Sequence, residues 1–110
     1  MDGVAVNLPA LTRAVKLQKR AARVGFDWPD MDGVLDKIVE EAAELREAAD
    51  LTYEDQVEEY GDLMFVMANL ARHLKIDPEE ALRAANTKFQ RRFAGVEAKL
   101  AEMGKTPSQS

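Results

Sequence analysis

The sequence predicts an all-α domain, and three observations carry that prediction. Four stretches repeat apolar residues at the three-to-four spacing of one helix face, proline or glycine punctuates their ends, and no run alternates apolar with polar residues as a half-buried strand does. A chain of 110 residues holds one domain with a modest core, and long helices in so short a chain often complete that core by oligomerising. The expected organisation is a single domain over 1–104 and a disordered tail over 105–110.

The first helix is expected from Pro9 to about Val24, with proline in its first turn and Gly25 as its stop. It carries Arg13, Lys16, Lys19, Arg20 and Arg23 without an acidic residue, and Gln18 falls on its line of Leu11, Val15 and Ala22. Residues 26–33 read as a loop, because proline, glycine and three aspartates oppose regular structure; Phe26 and Trp28 are its aromatics. Helix two is expected from about Gly33 to Ala49. Helix three follows from about Tyr53 to Leu74, capped by Thr52 with Asp55 three residues on. The fourth opens at Asp77-Pro78 and runs to about Met103 before Gly104. Its apolar stripe of Leu82, Ala85, Phe89, Phe93, Val96 and Leu100 reads as core, with Lys88 and Arg92 one turn apart at the edge.

Composition narrows the function classes. There are no cysteines, so disulfides and thiolate chemistry do not enter. No apolar run approaches a membrane span and the first residues lack a basic signal-peptide start, so a cytoplasmic protein without membrane partners is expected. A pI near 4.9 opposes nucleic-acid binding. The charge is segregated: residues 36–62 hold eleven acidic side chains against two basic, and the remainder holds nine against thirteen. A cation bound by carboxylates, with a polyphosphate bound by lysines and arginines, calls for that division.

The acidic segment has internal order. Glu41 and Glu44 stand three apart on helix two, as do Glu59 and Asp62 on helix three, so each pair shares a helix face. At about 100° per residue, the stripe Leu35, Ile38, Ala42, Leu45, Ala49 places Glu41 and Glu44 on its Lys37 side, with Glu40 on the far side. On helix three, Glu59 and Asp62 flank Tyr60, Leu63, Met67, Leu70 and Leu74, and Asn69 continues their row. Four converging carboxylates make a hard-cation site suited to Mg²⁺ or Mn²⁺. Met64, Phe65 and Ala68 leave helix three apolar all round, which suggests a dimer interface.

The spacing Glu40-Glu41-x-x-Glu44 followed by Glu59-x-Gly61-Asp62 is similar to the motif of the all-α nucleoside triphosphate pyrophosphohydrolases, the MazG proteins in particular. Leu8-Pro-Ala-Leu11, Lys16-Leu-Gln-Lys-Arg20, Val24-Gly-Phe-Asp-Trp28, Asn69-Leu-Ala-Arg-His-Leu74 and Ala85-Asn-Thr-Lys-Phe-Gln-Arg-Arg-Phe93 extend the likeness from about Leu8 to Met103. Several of these strings resemble the second of the two copies in longer MazG proteins. The resemblance implies a four-helix, bundle-like fold that forms a homodimer or higher oligomer. It also implies Mg²⁺-dependent hydrolysis of NTPs or dNTPs to the monophosphate and pyrophosphate. Carried over by position, Glu41, Glu44, Glu59 and Asp62 resemble the metal ligands, Lys37 stands beside them, and Lys88 and Arg92 resemble triphosphate contacts. This sequence holds one copy, and base contacts from a longer C-terminal segment would be missing from it.

Such hydrolysis needs a positioned water and a group to take its proton, and Glu40 or Glu44 is the expected acceptor. Gln18 and Asn69 are candidate base or ribose contacts, Lys19 a candidate phosphate contact, and Trp28 either a loop anchor or a stacking surface for the base. A narrower dUTPase or phosphoribosyl-ATP pyrophosphohydrolase is the alternative within the superfamily. A catalytically silent helical dimer serving as an interaction module is the alternative outside it.

Overall fold

The computed structural model describes residues 4–5 and 7–104, so the tail expected over 105–110 lies outside the described residues. Four helices follow in order: α1 (Ala10–Ala22), α2 (Met31–Ala48), α3 (Tyr53–Leu74) and α4 (Pro78–Glu102), with no strand among the described residues. The all-α expectation holds. By contacts the chain divides into two units, Met1–Glu79 with α1 to α3, and Glu80–Ser110 with α4 beyond its first turn.

Local chemistry sets the helix ends. At the end of α1 the chain turns as a Schellman motif: the Phe26 N–H reaches Ala21 O and the Gly25 N–H reaches Ala22 O, both at 3.0 Å, with Gly25 at φ 85°. The helix therefore stops two residues short of Val24. The second helix begins earlier than its glycine suggested, because the Asp30 side chain accepts from Gly33 N and caps a first turn of Met31-Asp32-Gly33. Thr52 caps α3 by accepting from Asp55 N, as expected. In the short α2–α3 connection Gln56 Nε2 donates back to Ala49 O at 2.9 Å, satisfying a carbonyl at the end of α2.

In the first unit α3 packs against both α2 and α1. Its buried apolar residues, Ala14, Val34, Ala48, Val66 and Ala68, are small. Three polar residues are buried with them: Gln18, Glu41 and Asn69, at 7%, 6% and 3% exposure. The expected stripes are offset from this seam. On α2 the buried positions are Val34, Glu41 and Ala48, while Leu35 and Val39 face outward, Val39 at 70% exposure. On α3 they are Val66, Ala68 and Asn69, while Tyr60, Met67 and Leu74 are exposed. A helix apolar on several faces has more than one choice of inner face. Here the carboxylates and amides lie in the seam, and the larger side chains lie outside it.

Taken by itself, α4 is a 25-residue helix with no buried residue. The stripe read as core is exposed along much of its length, Phe89 at 69%. Phe89 and Phe93 stack nearly parallel, with ring centroids 6.1 Å apart. A lone helix has nothing of its own to bury such a stripe against.

Candidate metal centre and adjoining pocket

The seam between α2 and α3 brings together Glu41, Glu44 and Glu59, each offering a carboxylate oxygen within 4.8 Å of the others. Two helical features produce this: the three-residue spacing on α2, and the short connection that lays α3 beside it. Asp62, one turn beyond Glu59, is exposed and lies outside this three-carboxylate group. Glu40 is exposed as well.

The group carries more negative charge than its neighbours balance. Lys37 Nζ lies 3.1 Å from Glu41 Oε1 and 3.3 Å from Glu40 Oε1. The hydrogen bonds to Glu41 and then to Glu40 push the lysine pKa up. One lysine does not balance the group. Hydrogen bonding to Glu41, its negative charge, and to a lesser degree burial and the Glu59 charge, push the Glu44 carboxyl above the usual range. Glu41 Oε2 and Glu59 Oε2 are buried without any hydrogen-bond partner. Buried carboxylate oxygens left unpaired in such a group fit a hard divalent cation, which takes oxygen ligands of this kind.

Further along α3, a pocket of about 340 Å³ opens between α1 and α3, lined chiefly by apolar groups with Gln18, Asn69, Arg72 and Asp27 as its polar members. Gln18 Nε2 donates to Phe65 O at 2.8 Å, and its Oε1 is buried without a partner. Trp28 lies against Gly33, whose hydrogen gives it room: a Cβ there would meet Trp28 Cδ1 at 2.8 Å. The loop carrying Trp28 is tied down by Asp27. Its Oδ1 accepts from Trp28 N and from Arg72 Nη2, and lies 3.1 Å from His73 Nε2. Burial opposes the Asp27 charge, but the hydrogen bonds from Arg72 and His73 outweigh it and hold the carboxyl below its ordinary range. Arg72 Nε also donates to Asn69 Oδ1 at 3.0 Å.

The structure thus gathers Glu41, Glu44, Glu59 and Lys37 in one place, and Gln18, Asn69 and Trp28 in another. Lys19 lines, with Lys16, Arg72 and Lys75, a neighbouring hollow of about 370 Å³ that shares Arg72 with the α1–α3 pocket. Lys88 and Arg92 are exposed on α4. Sequence reasoning missed Asp27 and Arg72, whose pairing spans 45 residues and has no local spacing to reveal it.

Fold and site together define an all-α domain with an acidic cation cradle between two helices. The chain belongs to the phosphoribosyl-ATP pyrophosphohydrolase family of the MazG superfamily, whose family model matches residues 8–89. It is 49% identical over 107 residues to a nucleoside triphosphate pyrophosphohydrolase of Escherichia coli, covering 94% of this chain and 41% of that protein. It is 47% identical over 97 residues to a nucleoside triphosphate pyrophosphohydrolase/pyrophosphatase MazG of Thermotoga maritima, covering 88% and 37%. The chain therefore spans about two fifths of the length of these relatives.

Proposed function

We propose that this domain hydrolyses nucleoside triphosphates to the monophosphate and pyrophosphate with the help of Mg²⁺. The observation that carries this reading is the group of Glu41, Glu44 and Glu59 with two buried oxygens unpaired. The names of the two relatives support the substrate class. On α3, Glu59 and Asn69 are ten residues apart, a rise of about 15 Å. That is the order of separation between the base and the outer phosphates of a nucleotide, so one ligand spans carboxylates and pocket.

In this proposal Glu41, Glu44 and Glu59 hold the ion, and Asp62 completes the set from the next turn. The ion supplies charge neutralisation at the phosphates and acidity to water. Water oxygen attacks phosphorus, the anhydride P–O bond breaks, and a carboxylate takes the water proton. Glu44, inside the group, is better placed for that than exposed Glu40. Lys37 orients Glu41 through their ion pair. Gln18, Asn69 and Trp28 contact the base, while Lys88 and Arg92 are assigned to phosphate by the sequence resemblance alone and Lys19 by the basic face of α1. The outward apolar residues of α2, α3 and α4 support self-association into at least a dimer.

Pyrophosphate release from the common NTPs and dNTPs plus dUTP, with Mg²⁺, with Mn²⁺ and with EDTA, tests the reading. Metal-dependent release from many substrates is expected. The family model's own description favours phosphoribosyl-ATP as the second reading. Release from that substrate alone would establish it, and silence on all substrates from a folded protein would leave the interaction module.

A further inference from the structure

We infer that Asp27 is a positioning residue that fixes how the α1–α3 pocket reads the edge of its ligand; the inference rests on the nucleotide reading of that pocket. Its chain of contacts runs from the loop to the pocket. One Asp27 oxygen holds Trp28 N and Arg72 Nη2, so loop and helix are locked to each other. Arg72 in turn donates through Nε to Asn69. A guanidinium only donates, so the Asn69 amide must turn its oxygen to Arg72 and keep Nδ2 as the free donor. The same logic fixes Gln18: Phe65 O only accepts, so Gln18 gives it Nε2 and keeps Oε1.

The two amides of the pocket thereby offer a defined acceptor, Gln18 Oε1, and a defined donor, Asn69 Nδ2, in residues almost fully buried. A planar ring with a donor beside an acceptor on its edge satisfies both. Leaving the Gln18 oxygen unpaired is unfavourable, so a ring lacking the donor binds more weakly. Without the Asp27 carboxylate, Arg72 loses its anchor, the Asn69 amide is free to flip, and Trp28 is released with it.

Trp28 is the sole tryptophan, so its fluorescence reports this pocket directly. The test titrates the full chain, in EDTA, with adenosine and with purine riboside, which lacks the exocyclic amino donor. Adenosine is expected to quench Trp28 at several-fold lower concentration than purine riboside. Asp27→Asn is expected to remove that preference and Arg72→Lys, which keeps the charge but not the fork, to weaken it, with helicity unchanged in both. In turnover, Asp27→Asn is expected to raise KM for ATP about tenfold at near-constant kcat. No quenching of the wild type, equal quenching by the two nucleosides, or a variant with the wild-type preference would overturn the inference. Because quenching needs neither metal nor turnover, these outcomes are separate from failure of the hydrolase reading.

Discussion

Helix α3 lines two working regions that are built in opposite ways. Towards its start, Glu59 joins Glu41 and Glu44 in a group of like charges with one lysine to balance them and two oxygens left unpaired. Towards its end, Asn69, Arg72 and His73 meet Asp27 in a network whose charges are matched and whose amides have fixed partners. In the proposed function a cation would relieve the first region, whereas the second is assembled without a ligand. Under that proposal the difference separates reactivity from recognition: repulsion stands where a metal would relieve it, and rigidity where a shape would be read.

The largest expected effect breaks the first region. Glu41→Gln removes a charged donor with little change in volume, and pyrophosphate release should fall at least about 100-fold. Stability should hold or rise, because a like-charge contact disappears with the carboxylate; thermal unfolding without metal measures it. A clear loss of stability together with near wild-type turnover would mean that Glu41 serves packing and not the cation.

A smaller effect sharpens the same contrast. Mg²⁺ at about 100 times its Kd should stabilise the wild type by about 2.7 kcal/mol, a shift of several degrees in Tm that EDTA reverses. In Glu59→Gln the shift should shrink towards zero. Equal shifts in both proteins would move the cation away from the α2–α3 seam.

In the second region, Gly33→Ala tests the pocket wall. The added Cβ sits 2.8 Å from Trp28 Cδ1, so the indole must move. We expect a stability loss of about 1–2 kcal/mol by crowding, and a several-fold rise in KM with kcat little changed. An unshifted Trp28 emission spectrum in the variant would show that the indole does not depend on that contact.

How legible these regions were follows from the range of their contacts. Glu41, Glu44 and Glu59 could be read from helical spacing because carboxylates three apart share a face whatever the tertiary structure. The caps at Thr52 and Gly25 were equally local. The inner faces of α2 and α3 were not, since Leu35 and Val39 are as apolar as Val34, and only packing decides among them. Gln18 and Asn69 stood out as polar residues on apolar lines, but their partners Phe65 and Arg72 could not be assigned from pattern. Asp27 was invisible for the same reason: its side-chain partners on α3, Arg72 and His73, lie 45 and 46 residues away.

The smallest expected effect concerns that aspartate and pH. The folded pKa of Asp27 is depressed, with burial opposing and the Arg72 and His73 hydrogen bonds prevailing, so its stabilisation is present above the ordinary carboxylate pKa of about 3.8. It is lost as pH falls through the lower folded value. Asp27→Asn should therefore lower Tm by only a few degrees at pH 7, in keeping with about 1 kcal/mol or less for a partly exposed pair. The gap between variant and wild type should begin to narrow below about pH 3.8 and close as pH falls through the lower folded value, where the native carboxyl takes up its proton. Unfolding curves of the two proteins across pH 7 to 3 measure the closure. A gap that stays constant over that range would show that Asp27 contributes through its shape or its Trp28 contact, which asparagine alters without regard to charge, and not through its pairing with Arg72.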